Sequence, residues 1–110
     1  MNKKIVSAVL CGAMILGSAV PAMAGTADGK KIALVGKSAG NAFFEIAADS
    51  FVETAEAEGA TVDTVYPEAA TADAQIKVLD NLISQDYDAI CISANDVNAL
   101  QAKLQEAMDE

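Results

Sequence analysis

The chain has 110 residues, 53 % of them apolar, with 16 Asp and Glu against 7 Lys and Arg, no His, and a net charge of −9. That apolar fraction excludes an acidic disordered tail, and the negative charge disfavours nucleic acid and anionic lipid as partners. The lack of His excludes His-dependent catalytic triads and most zinc sites, so neither a metal nor a catalytic residue is assigned.

Residues 1–24 read as an export signal. Met1–Lys4 carries two positive charges, Ile5–Val20 carries none, and Pro21 then breaks the run before Ala22-Met23-Ala24. Small residues at the first and third positions of that tripeptide fit cleavage before Gly25, which predicts a periplasmic product with no lasting membrane anchor. The rival reading is an anchor, because Ile5–Ala27 is uncharged and nominally long enough to span a bilayer. Gly12, Gly17, Ser18, Pro21 and Gly25 interrupt that stretch and favour the signal. Cys11 raises a lipoprotein site, but Leu10 stands where a small residue is wanted and the apolar run continues past it. Without Lys3 and Lys4 the remaining chain is more acidic still, and Cys91 is its single thiol. Cys91 lies in Ala89-Ile90-Cys91-Ile92 and is expected to be a small buried hydrophobe.

Gly25–Lys30 reads as a polar tether. Lys31–Gly36 (KIALVG) is a short apolar run ended by glycine, a buried strand. Over Asn41–Gly59 the period changes: Phe44, Ala47, Ala48, Phe51, Val52 and Ala55 form one helix face, with Gly59 placed to end it. Ala60–Tyr66 is a second, β-branched strand stopped by Pro67. Thr71–Gln85 is a second helix with Ile76, Leu79, Leu82 and Ile83 as its apolar stripe, and Ala89–Ser93 is a third strand. Asn95 or Asp96 caps a last helix whose apolar face is Val97, Leu100, Leu104 and Met108.

Strands alternating with helices predict an α/β fold, a partial Rossmann-like parallel sheet in the order βαβαβα, with right-handed crossovers and helices on both faces. Three strands are few for such a sheet, and the sequence stops in the last turn of a helix. Residues 31–110 therefore read as an incomplete lobe, the first part of a larger unit. Ligands of open α/β sheets bind beyond the carboxyl ends of the strands. That selects Lys37–Phe44, Pro67–Thr71 and Ser93–Asp96. Gly36-Lys37-Ser38 looks like the end of a phosphate loop, but the Gly required five positions earlier is Lys31, and Gly36 and Gly40 lack the dinucleotide spacing.

The first loop suits a sugar better. Lys37 offers a charged donor, Asn41 a donor and an acceptor, and Phe43 and Phe44 flat apolar faces for the C–H side of a ring. Asp96 joins them from the third loop. Each has a plainer reading: Phe44 as core, Asn41 and Asp96 as helix caps, Lys37 as a solvated surface residue.

The phrases KIALVGKSAGNAFF and AQIKVLDNLISQDYDAICISANDVNAL, together with the signal, resemble the N-terminal lobe of the periplasmic sugar-binding proteins of ABC transporters. Within the ribose-type family the similarity is to the rhamnose and autoinducer-2 binders, over nearly all of 31–109. The resemblance implies two Rossmann-like lobes closing by a hinge on a small carbohydrate, with an Asn and an aromatic pair matching Asn41, Phe43 and Phe44, and a strand-end Lys matching Lys37. Val97 departs from the Pro usual after the Asn-Asp pair. The hinge, second lobe and remaining ligand residues lie beyond position 110 in relatives, so a chain ending at Glu110 is expected to bind its sugar much more weakly. The implied partners are the sugar and an inner-membrane ABC permease, or else a chemoreceptor or sensor kinase. No cofactor is implied and no enzyme activity. A repressor sharing the fold would open with a basic DNA-binding helix-turn-helix in place of the signal. An enzyme would need a nucleophile–base pair or a phosphate site, and neither is present in the sequence.

Overall fold

The computed structural model describes residues 25–110. The signal segment, its cleavage point and Cys11 lie outside the described residues. Three strands, β1 (Lys31–Val35), β2 (Thr61–Val65) and β3 (Ala89–Ile92), alternate with three helices, α1 (Ala42–Ala57), α2 (Ala72–Ile83) and α3 (Val97–Asp109). All three strands pair in parallel in the order β2-β1-β3. Each element falls where the sequence places it and is shorter by one or two residues at an end, because the flanking residues act as caps or loops. Among the described residues, no helix is long and apolar enough to cross a membrane.

β1 is the centre of the sheet and pairs on both sides: Leu34 lies opposite Thr64 and Cys91, and Val35 opposite Val65 and Ile92. The two-residue period of a strand then sorts the side chains. Ala33 and Val35, both fully buried, share a face with Val65, Ile90 and Ile92, and Leu82 and Val78 of α2 pack against it. α3 lies alongside α2, with Leu100 fully buried. Leu34, Thr64 and Cys91 point to the other face, which α1 meets chiefly at β2. The chain crosses from β1 to β2 in one direction and from β2 to β3 in the other. A common hand for both crossovers therefore requires α1 and α2 on opposite faces, as found.

Three expectations are corrected. Cys91 is half-buried, not a core residue, because β3 is an edge strand and α1 reaches only the β2 side of its face. On α3, Val97 and Met108 are 71 % and 80 % exposed, because α2 covers only the Leu100 side of that helix. On α2 the buried stripe is Gln75, Leu79 and Leu82, a turn of the helix that admits a polar residue and leaves Ile76 and Ile83 half-buried.

Gly25–Lys30 is bonded to the end of α1. The Ala27 amide donates to the Glu58 carbonyl at 3.2 Å and the Gly29 amide to that of Gly59 at 3.1 Å. The Thr26 amide and hydroxyl both donate to Glu58 Oε2 at 3.0 Å. Gly59, at φ 92°, adopts the left-handed conformation that lets the helix end there. At the same edge the Lys31 amide donates to Asp88 Oδ2 at 2.8 Å and Lys30 Nζ to Oδ1 at 3.1 Å. Tyr87 is held between its hydroxyl bond to Asp63, at 2.7 Å, and the Lys31 ammonium 4.0 Å above its ring.

These bonds make the strand-start edge acid-sensitive. The Thr26 amide and hydroxyl hold Glu58 below the ordinary value of 4.5. The Lys31 amide and Lys30 ammonium hold Asp88 below 3.8. A carboxylate whose folded pKa is depressed contributes stability that is present above its unfolded pKa and lost as pH falls through the folded one. The melting temperature is therefore expected to fall on acidification from about pH 5 to about pH 3. Asp88→Asn should flatten part of that slope; an unchanged slope would place the acid sensitivity elsewhere.

Candidate functional site

The three strands end together. Beyond β1 the chain runs through Gly36 and Lys37 to Asn41; beyond β2 through Tyr66 and the fully buried Pro67; beyond β3 through Ser93 to Asp96. A parallel sheet delivers all its strand ends to one edge, which is why segments far apart in sequence meet there.

Asn41 is the cap of α1. Its backbone is extended and its Oδ1 accepts from the Phe43 amide at 3.1 Å. Gly40, at φ 74°, supplies the left-handed step that brings the chain into that cap. Asp96 is the cap of α3, accepting from the Asn98 amide at 2.9 Å and the Ala99 amide at 3.0 Å, both through Oδ1. Neither cap uses the whole side chain: Asn41 retains its amide nitrogen and Asp96 its Oδ2 for another partner. Lys37 is half-buried, and among the described residues no ion pair includes it.

Phe43 and Phe44 meet edge to face, ring centroids 5.3 Å apart at 86°. Phe43 is 72 % exposed and Phe44 half-buried, so the first offers a free ring and the second supports it edge-on. Both line a cavity of about 300 Å³ between α1 and the sheet, whose wall also includes Phe51, Tyr66, Cys91 and Ser93. Lys37, Asn41 and Asp96 do not line it. The cavity is nearly all apolar and matches no hydroxyl-rich ligand, whereas the polar candidates stand at the loops above it.

Two residues important at this edge carry no expectation of ligand binding from the sequence. Gln75 is fully buried, and its Nε2 donates to the carbonyls of Gly36, at 3.1 Å, and Ser93, at 2.8 Å. Its Oε1 accepts from the Asn95 amide at 2.8 Å. Asn95 is not the cap of α3; its Nδ2 donates to the Lys37 carbonyl at 3.0 Å. The available signal for Gln75 was its spacing: it stands four residues before Leu79 and seven before Leu82, on the buried line of an amphipathic helix.

Comparison with known proteins matches this arrangement. A family described as a periplasmic binding protein domain matches residues 32–110. Among solved structures, an ABC transporter solute-binding protein from Clostridium phytofermentas with bound L-rhamnose is 38 % identical, with a TM-score of 0.71, over 73 % of this chain and 25 % of its own. LsrB from Clostridium saccharobutylicum in complex with AI-2 is 32 % identical, with a TM-score of 0.69, over 72 % of this chain and 24 % of its own. A periplasmic ribose ABC transporter protein from Conexibacter woesei is 26 % identical, with a TM-score of 0.71, over 77 % of this chain and 28 % of its own. No curated protein matches the chain. The chain spans about a quarter of the length of these solved relatives. With three parallel strands, alternating helices and a family match over most of its length, the chain belongs to the periplasmic binding protein domain family.

Proposed function

We propose that this chain supplies one face of a sugar-binding clamp, capturing a small carbohydrate such as rhamnose, ribose or an autoinducer-2-like molecule in the periplasm for delivery to an ABC permease. The observation that carries the reading is the relatives' identity: the proteins 38 % and 32 % identical hold L-rhamnose and AI-2. The leader of residues 1–24, cleaved before Gly25, accounts for export. Lys37, Asn41 and Asp96 supply directional partners for hydroxyls, and Phe43 an exposed ring for stacking. No bond is made or broken. Contacts to two lobes favour a closed state over an open one, and the permease reads that difference.

The test is titration of the isotopically labelled chain with L-rhamnose, D-ribose and autoinducer-2, followed by backbone amide shifts. One of the three is expected to move the amides of Lys37–Phe44 and Ser93–Asp96 together. Shifts confined to the cavity below α1, or none with any of the three, would overturn the proposal.

A further inference from the structure

Gln75 is the fully buried polar side chain of the described residues, and every one of its polar positions is used. Its surroundings give that burial a purpose. The ladder between β1 and β3 closes with the Ser93 amide donating to the Val35 carbonyl at 3.0 Å. From there the two chains diverge, one toward α1 and the other toward α3. The Gln75 amide sits in the fork. Its two N–H groups take the Gly36 and Ser93 carbonyls, and its oxygen takes the Asn95 amide. Asn95 then reaches across to the Lys37 carbonyl. The bonds form a closed circuit from Gly36 through Gln75 and Asn95 to Lys37 and back along the chain.

We infer that Gln75, through Asn95, is a positioning residue that locks the loop after β1 and the loop after β3 into one rigid rim. Only a carboxamide of this length does so: two donors and an acceptor are needed at one point, and Glu lacks the donors, Lys and Arg the acceptor, Leu and Met both. Removing it leaves three backbone groups without their partner at the base of the rim, and such groups are costly where water does not reach them. The consequence for binding rests on the sugar reading above. Lys37 and Asp96, one on each loop, flank the circuit directly, so their separation is set by it and not by the ligand. A rim ordered before binding spares the ligand the entropy of ordering it.

Three variants test this by backbone amide exchange of the chain, with the amides of Ala33 and Val35 in β1 as the internal reference. Gln75→Leu is expected to speed exchange across Lys37–Ser38 and Ser93–Asp96 about tenfold or more relative to that reference. A merely structural role would instead speed loops and strands in the same proportion, which would overturn the inference. Asn95→Asp leaves the Asn95 amide on Gln75 but sets a carboxylate against the Lys37 carbonyl. It is expected to loosen the Lys37 side alone, and it decides the matter if Gln75→Leu does not fold. Gln75→Glu, buried beside two carbonyls, will have a raised pKa and regain one donor when neutral. Its loop protection is expected to recover from about pH 7 to about pH 5, whereas no recovery relative to the unsubstituted chain would count against the circuit. Exchange is read without sugar, so an unsubstituted chain that binds no sugar defeats the proposed function while leaving this test intact. Where sugar does bind, Gln75→Leu should weaken it about tenfold.

Discussion

Leu79→Ala is expected to lower the stability of the domain by about 2–5 kcal/mol, the range for emptying a fully packed leucine site. Leu79 has no exposed surface and stands on α2 between Gln75 and Leu82, where the helix meets the sheet and α3. The loss combines the transfer of the removed atoms with the cavity they leave, since helix and sheet both hold their backbone and neither can collapse inward. A domain of this size has a total stability on the order of 4–13 kcal/mol, so one substitution removes a large share of it. Urea denaturation measures the change as a shift in midpoint at constant slope. Met108→Ala is the control. It removes the same number of heavy atoms from a residue that is 80 % exposed, and is expected to change stability by less than about 0.5 kcal/mol. Equal losses at the two positions would overturn the contrast between a buried Leu79 and an exposed Met108.

The contrast between those residues marks the limit of what the chain discloses before folding. Both sit on apolar lines of amphipathic helices, and spacing alone gives them the same standing. What separates them is that Leu79 is enclosed where α2 packs among its neighbours, while α3, lying alongside α2, has a covered side and an open one. The strands tell the same story. Lys31–Val35 and Ala89–Ile92 are equally apolar, yet one is the centre of the sheet and the other its edge. Nothing in four or five residues records which neighbours they will find, and Cys91 was expected in the core for that reason. The strand and helix types were legible because periods of two and of 3.6 are local properties of a chain. The location of the candidate site was legible too, because alternating strands and helices bring the strand ends to one edge. The Gln75–Asn95 bond was not, since it joins residues 20 apart and depends on the depth of α2 over the fork between two strands. The capping roles of Asn41 and Asp96 were readable as local alternatives to ligand contact. The structure adds that each cap occupies one polar atom, so the two roles are compatible.

Under the proposed sugar-binding function, Lys37→Met is expected to weaken sugar binding about ten- to a hundredfold, the worth of one hydrogen bond from a charged donor. Its carbonyl is already held by Asn95, and the backbone is therefore fixed whatever the side chain does. Methionine keeps much of the apolar stem that half-buries the lysine and removes only the ammonium. Stability should then change by less than about 0.5 kcal/mol, which separates lost contact from lost fold. Asp96→Asn provides the matching test on the other loop: Asn caps a helix as well as Asp does, so α3 is retained while the charge of the free Oδ2 is removed. Calorimetric titration with the sugar that shifts the loop amides measures both. Because that ligand is neutral, affinity should hardly change with added salt, whereas an anionic ligand drawn to Lys37 would lose affinity steeply. Equal affinity in Lys37→Met and the unsubstituted chain would reduce Lys37 to a solvated side chain and shift the recognition of the hydroxyls to Asn41 and Asp96.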